Sequence, residues 1–514
     1  MSWKSRILSH LPLIVILIAG LVVWIQVFQI AAEDYLAEGS WNSMHAWLGG
    51  AGRVGVDVGQ FDFFGLTIPF QFEGYSDYSY FYKHWGNNVL NGLLPYSPEF
   101  GYLEIDGIVN ENGVYFFPPL YAILCAFGVL LEPNIGIGII LSSFGFVTVL
   151  PVYGIATELS NNRRVGEIAA LTYLFNPNVL YHVTFLWMNT PPFIFFFFSG
   201  FYMLITGRRH AGTLLIVMAA LFKQTAWFLG IPLVVHLLIR KRNSNGESSE
   251  KKNLIDSLAS TMDFKAFATS VVVVLIFGLA VLLPFLLAQP DTMLSYMSLA
   301  AGGFPLESFT DPPGYGSPMR FQVLPVVLGF PDAAQFLDGL VYYGILLWFG
   351  VTLLGGYLFF EPKMDTNRNH YFRRLLFVTM LMMFWVHLMG PRGVYKYYFT
   401  LFAPFFSIFS SRGMVVGPEE RVKASPTMLF IPALFSSLIL IPPRNIYFVS
   451  VIAIYLLYIL ASVSGWRRKP SPDAPPEPSE LTEMSETPDS STPLEDVNTQ
   501  TVVDKVGTGD NSMN

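Results

Sequence analysis

The stretch Ile7–Ile30, ILSHLPLIVILIAGLVVWIQVFQI, decides the fold of this chain. It is apolar without alternation and long enough to cross a bilayer core of about 30 Å as a helix. Similar runs recur almost to the end of the 514 residues, which are 53% hydrophobic and only 13% charged, with 46 Phe. Ordinary soluble chains carry about 25% charged residues. Only helices and closed barrels satisfy every backbone group in lipid, and continuous rather than alternating runs select helices. The expected fold class is an all-α polytopic membrane protein. The lone cysteine, Cys125, lies inside an apolar run, which leaves no disulfide framework and no zinc-type cluster.

Charge places the runs. Lys4 and Arg6 precede the first one, which reads as a retained signal anchor with its N-terminus inside. Positive residues mark cytoplasmic loops; they cluster at Arg163-Arg164, Arg208-Arg209, Arg240 to Lys252, Arg368 to Arg374, Arg412 to Lys423 and Arg467 to Lys469. Residues 31–116 and 289–336 are poor in Lys and Arg and read as extracytoplasmic loops. The run 211–239 has positive charge at both ends, so it should enter and leave on one side as a broken pair of helices bending near Lys223. Runs 118–132 and 135–156 break the sign rule if both cross; either one is shallow or Arg163-Arg164 lies outside. Residues 467–514 hold ten acids against four bases, −6 of the net −7, which leaves the body at −1. That Pro-, Ser- and Thr-rich segment is expected to be a disordered cytoplasmic tail. No basic stripe points to nucleic acid, and no repeat points to a solenoid.

The informative loop segment is SDYSYFYKHWGNNVLNGLLPYSPEF, Ser76–Phe100. Ser76 suits a helix N-cap and Asp77 suits the helix dipole. The helix should run to about Leu90 and stop at Gly92 and Pro95. Its Tyr and Trp residues predict an interfacial element. On these residues alone Asp77 is either a cap or a functional acid. The loop then leads through NGLLPY into VYFFPPLYAIL, where a proline pair opens the next run. This arrangement resembles the GT-C superfamily of integral-membrane glycosyltransferases, with an acid in the first outer loop, an aromatic helix, a turn ending in Pro-Tyr and a Pro-Pro helix start. LTYLFNPNVLYHVTFLWMNTPP, ALFKQTAWFLGIPLVV and GPRGVYKYYFTLFAP extend the resemblance over about residues 10–460. Each motif alone is weak; their order is what resembles the family.

The resemblance implies a GT-C-like bundle of about 11–13 transmembrane helices over residues 1–466, with interfacial helices in the first outer loop. It implies an inverting, mannosyltransferase-like hexosyltransferase with its active site outside and both termini in the cytoplasm. The donor would be a polyprenyl- or dolichyl-phosphate sugar; the acceptor would be a lipid-linked glycan, glycolipid or protein. Metal-dependent relatives carry acids in the second outer loop. This chain has Asn189 and Thr190 there, which implies a mechanism with no metal and no cofactor. Asp77 would be the base that takes the acceptor proton, with Asp62 and Glu73 in reserve. Arg392, Lys396, Lys223 and Gln224 would meet the donor phosphate; otherwise they are snorkelling or kink residues. Tyr78, His84, Tyr115, Asn189, Asp311 and Arg320 would line the substrate site, or else serve as interface anchors and loop residues. Asp106 and Glu111 read as members of a solvated loop, and Phe116 and Phe117 as isoprenoid contacts or simple anchors.

Two other readings use the same composition. A transporter or flippase of lipid-linked sugars would need internal repeats and ionisable groups at mid-membrane, and neither is evident. A scaffold built on the acidic tail, or an inactive member of the same fold, leaves the acid of the first outer loop without a task.

Overall fold

A computed structural model describes residues 3–37, 45, 56–63, 65–75, 77–100, 103–105, 108–110, 115, 117–238, 262–294, 325, 329–360, 368–389, 395–409, 436–437 and 440. The expected tail at 467–514 lies outside them, as do residues 295–324 of the second long loop and most of the two last apolar runs. Asp106, Glu111, Phe116, Asp311, Arg320, Arg392 and the cap residue Ser76 also lie outside.

Helix α1 (Trp3–Ala37) carries the first apolar run. One side shows Leu11, Val15, Ile18, Val22 and Ile25 as exposed apolar surface, which suits lipid. The other side is buried: the Trp24 indole donates to the Leu174 carbonyl at 2.8 Å. The loop that follows begins with an antiparallel hairpin, β1 (Val56–Phe63) against β2 (Leu66–Phe72). Its tight turn uses Gly65 at φ +79°, a left-handed conformation natural to glycine. A widened turn over Tyr78–Tyr82 then leads into α2 (Lys83–Leu90), which stops ahead of Gly92 as its sequence predicts. A second small hairpin, β3 (Leu103–Ile105) with β4 (Ile108–Asn110), precedes the next helix.

The aromatic face of the Tyr78–Leu90 segment turns into the protein. Tyr78, Tyr82 and Trp85 are buried, and Tyr82 and Trp85 pack on Tyr121 and Phe117. The close fit depends on Gly86, where a Cβ would lie 2.7 Å from the Cys125 carbonyl oxygen.

Helix α3 (Pro119–Leu131) has 13 residues, about 20 Å at 1.5 Å per residue, which is short of a bilayer core. Helices α4 (Gly136–Val147) and α5 (Val149–Ser160) join into one 25-residue apolar span. Of the two runs in conflict with the sign rule, only the second is therefore long enough to cross alone. Helices α6 (Arg163–Leu174), α7 (Pro191–Ile205), α8 (Arg209–Phe222) and α9 (Gly230–Leu238) follow. Gly200 and Gly212 bring α7 and α8 together, each Cβ position lying 2.8 Å from the other's carbonyl oxygen. Small residues at such crossings are how membrane helices approach one another without a hydrophobic drive between them. Next come α10 (Phe264–Ala288), α11 (Pro331–Tyr342), α12 (Ile345–Phe360), α13 (Arg368–Met389) and α14 (Ala403–Phe409). Helix α10 has an apolar exposed side including Val272, Ile276, Leu279 and Leu287, whereas α13 is largely interior through Leu376, Val378, Met380 and Met383.

The chain is a helical membrane protein. Among the described residues four helices are long and apolar enough to cross a bilayer, or five if the bent pair α11–α12 counts as one, and four shorter apolar helices accompany them. The expected 11–13 spans include runs outside the described residues.

Gly86→Ala is expected to lower the thermal midpoint of the detergent-solubilised protein. The new methyl meets backbone rather than a flexible side chain, and overpacking of this kind costs about 1–3 kcal/mol. Gly278 faces open space, so Gly278→Ala should leave the midpoint unchanged or raise it.

Candidate functional site

The polar residues that meet inside this bundle come from three breaks in regular structure. The first follows β2. Glu73, 3% exposed, lies 3.4 Å from Nζ of Lys396, itself 1% exposed. The Tyr75 hydroxyl donates to the second Glu73 carboxylate oxygen at 2.7 Å, and the Tyr181 hydroxyl donates to the Glu73 carbonyl at 2.9 Å. Lys396 also donates to the Leu440 carbonyl at 3.2 Å. A desolvated pair of this sort persists only when hydrogen bonds serve its remaining atoms. Around it Tyr75, Leu186, Met188 and Tyr397 form a closed apolar cluster, with Tyr181, Phe185, Tyr395 and Tyr398 packed against it.

The second break is at Trp187. Its φ of +53° is left-handed for a bulky residue, a strain of about 1–3 kcal/mol that the surroundings must hold. They do so with rings: His45 lies 4.3 Å and Tyr78 4.6 Å from the indole, centroid to centroid. The reversal brings Asn189 inward, and Thr190 shares a 2.7 Å hydrogen bond with Thr400.

The third break ends α8. Phe222 is its last residue, and Lys223 is extended at φ −149°, ψ 126°; a six-residue 3-10 turn, Gln224–Leu229, then leads to α9. The broken pair of helices expected from charge is thus present, and its break falls at Lys223. The buried Lys223 ammonium donates to Asn189 Oδ1 at 3.0 Å and lies over the rings of Tyr398, at 4.6 Å, and Tyr397, at 5.5 Å. Such cation–ring contacts strengthen away from water.

Asp77 is half-buried at the start of the widened turn and makes no capping hydrogen bond to it. Its charge is one of the causes that hold the Tyr82 hydroxyl above its ordinary value. Of the residues singled out by sequence, Lys223 and Asn189 meet beside Tyr397 and Tyr398, the residues that follow Lys396, with Gln224 next to Lys223. The others sit apart. Tyr78 is wholly buried, donating to the Asn134 carbonyl at 2.7 Å. The Tyr115 hydroxyl donates to the Pro118 carbonyl at 2.7 Å and accepts from the Ala122 amide, fastening the start of α3. His84 Nε2 lies 2.9 Å from the Asn88 amide nitrogen. Asp62 is exposed on the first hairpin and accepts from Thr67.

Sequence reasoning missed His387. Its Nδ1 faces the Met383 carbonyl at 2.7 Å and so must carry the proton, which leaves Nε2 as an acceptor. Its ring lies 5.2 Å from Tyr398. Nε2 of His387, Nδ2 of Asn189 and Oε1 of Gln224 are buried polar atoms with no hydrogen-bond partner among the described residues. A solitary histidine in an apolar run gives no sequence signal.

No family model matches the chain, and no curated protein matches it. Among solved structures, the chain is similar to archaeal oligosaccharyltransferase AglB from Archaeoglobus fulgidus in complex with an inhibitory peptide and a dolichol-phosphate. Identity there is 14% and the TM-score 0.39, over 87% of this chain and 56% of that one. The apo form of the Archaeoglobus fulgidus oligosaccharyltransferase gives 15% identity and a TM-score of 0.36, over 83% of this chain and 55% of that one. This chain thus spans little more than half the length of those proteins. A likeness of this extent assigns neither family nor activity.

The tyrosines beside Asp77 give a pH test. Burial first, then Tyr121, then the Asp77 charge, hold the Tyr82 hydroxyl well above its ordinary value, and burial does the same for Tyr96. In the unfolded chain both ionise near pH 10, so the folded state binds more protons there. Stability should accordingly fall as pH rises above about 10. An absorbance titration should show the Tyr82 and Tyr96 phenolates only together with unfolding.

Proposed function

We propose that this chain is an inverting glycosyltransferase of the GT-C kind. It moves a hexose, in the manner of the mannosyltransferases, from a polyprenyl- or dolichyl-phosphate sugar to a lipid-linked glycan, glycolipid or protein. The reaction takes place on the outer face of the membrane, in a multi-pass protein with both termini in the cytoplasm. The observation that carries the reading is the buried Lys223 ammonium, held by Asn189 over the rings of Tyr397 and Tyr398, with half-buried Asp77 two residues beyond Tyr75, which packs on Tyr397.

A carboxylate on the loop that packs on Tyr397, and a cation over the same aromatic patch, suit displacement at an anomeric carbon. Asp77 takes the proton of the acceptor hydroxyl as its oxygen attacks that carbon. The bond from the anomeric carbon to the phosphate oxygen breaks, and the electron pair leaves with the polyprenyl phosphate. Phosphate is already a good leaving group, so a positive charge near it is enough. Lys223 supplies that charge, with Arg392 as a further candidate. The unpaired acceptors on Gln224 and His387 and the unpaired Asn189 amide suit sugar hydroxyls, since a buried polar atom without a partner is costly until a ligand satisfies it. Half-buried Tyr398 offers ring surface for a sugar.

Among the described residues, those gathered here do not suit a hard divalent cation, which prefers several oxygen ligands. Glu73 is engaged by Lys396, and an ammonium sits on the Asn189 oxygen. The proposed mechanism accordingly uses no metal.

The deciding experiment compares wild type and Asp77→Asn in lipid, with a panel of polyprenyl-phosphate sugars and a membrane lipid extract as acceptor, with and without EDTA. Transfer by wild type in EDTA, lost by at least about 100-fold in the folded variant, is the expected result for a general base. Equal transfer by both removes Asp77 from the mechanism. Movement of the lipid-linked sugar across the bilayer without transfer would make the protein a flippase instead.

Lys223→Met should raise the donor KM by about 10- to 100-fold, the range of a hydrogen bond to a charged group at about 1.5–3 kcal/mol. Unchanged donor KM in that variant would assign the phosphate to another cation.

A further inference from the structure

We infer that Glu73 and Lys396 form a positioning latch, which fixes Asp77 at its working distance from Lys223; this rests on the proposed transfer reaction. Lys396 is then not a phosphate contact. The argument begins with register. Glu73 and Tyr75 meet the short segment Lys396–Tyr397 in order. Glu73 pairs with Lys396 at 3.4 Å. The Tyr75 and Tyr397 rings lie 5.1 Å apart. The loop is thus laid along the late segment at two successive points. Asp77 lies four positions beyond Glu73, at most about 14 Å of chain, so the position of one constrains the other.

The same late segment carries the cation. Lys223 lies over Tyr397 and Tyr398, the two residues that follow Lys396. Loop and cation are therefore referred to one element, and the ion pair sets where the loop sits on it. Nothing about stability requires charges for this task. Well-packed apolar residues in place of a buried pair are often as stable or more so. What the charges add is directional: two carboxylate oxygens serve Lys396 and Tyr75 separately, so a shifted loop would strand a buried ammonium. Lys396 also has its own carbonyl partner in Leu440, which leaves its ammonium committed on two sides before any donor arrives.

Two readouts keep the latch separate from the reading it rests on. Hydrogen exchange at the amides of residues 77–90 needs no turnover. Glu73→Gln and Lys396→Met should each speed it by the same factor, roughly tenfold, and the double variant should be no faster than either single, because one local opening is being measured. Exchange at wild-type rates in both refutes the latch whatever the activity. Kinetics with the polyprenyl-phosphate sugar that wild type uses best give the second readout. Both single variants should lose about 10- to 100-fold in kcat, as expected for a misplaced catalytic group, with donor KM unchanged and with no further loss in the double. A rise in donor KM in Lys396→Met that Glu73→Gln does not share overturns the latch and makes Lys396 a phosphate ligand. Should the single variants fail to fold, Glu73→Leu with Lys396→Met supplies an apolar pair, expected to be folded but slow; wild-type kcat in that variant also overturns the latch. If wild type transfers no sugar at all, the transferase reading fails and the exchange result alone decides the latch.

Discussion

A carboxylate and an ammonium that are both shut away from solvent, Glu73 and Lys396, hold the loop after α1 against the segment before α14. Each charge would be costly in that position alone, and together they are tolerated only at close range with their remaining atoms served. That condition leaves little freedom in how the two segments meet. Tyr75 satisfies the second carboxylate oxygen, Leu440 takes a hydrogen bond from the ammonium, and Tyr181 fixes the backbone at residue 73. The cluster of Tyr75, Leu186, Met188 and Tyr397 closes over the pair. Everything argued about the site follows from that docking, since Asp77 lies just beyond Glu73 and the tyrosines under Lys223 lie just beyond Lys396.

The second constraint comes from lipid. Irregular backbone is tolerated at membrane depth only where protein, not hydrocarbon, surrounds it. The breaks at Trp187 and Lys223 are enclosed by protein, for both residues are buried. Each also delivers a polar side chain inward: Asn189 after the first and Lys223 at the second. A continuous helix at either of these points would carry those groups along its own axis rather than toward a common centre. The left-handed Trp187 is the clearest case of strain kept for such a purpose, with His45, Tyr78, Tyr35 and Phe28 all in ring contact with it. Such strain survives because the packing around it is over-determined.

How much of this was legible depended on the range of the interaction. The membrane class was plain in Ile7–Ile30, because apolar length is a local property. The break at Lys223 followed from positive charge at both ends of one run, again without knowledge of any partner. The helix stop before Gly92 was equally local. The first hairpin had a local signal too: VDV and FDF each alternate, their phase flipping beside the Asp57–Gly59 register shift, and Gly65 offers the turn, a strand pattern. By contrast, nothing in the sequence joins Glu73 to Lys396 or Lys223 to Asn189, since both contacts depend on tertiary packing between separate segments. The tyrosines show the same limit. Tyr78, Tyr115 and Tyr397 look alike as residues near membrane ends, yet one packs on Trp187, one fastens the start of α3, and one packs on Tyr75 under Lys223.

The two carboxylates of the first loop illustrate how environment assigns roles. Glu73 and Asp77 are four residues apart and chemically near-identical, and sequence alone ranks them only by their place in a pattern. In the fold they diverge. Glu73 has both carboxylate oxygens engaged, one by an ammonium and one by a phenol, and is out of reach of any acceptor. Asp77 stands half-exposed at the start of a helical turn. Proton abstraction needs a carboxylate within hydrogen-bond reach of an incoming hydroxyl, a task for which the half-exposed acid is the better placed of the two. Paired acids whose surroundings separate them into different tasks are a recurring feature of catalytic sites. Here the buried member would serve by holding the exposed one in place, so a loop with a single acid could not supply both the reactive group and its anchor.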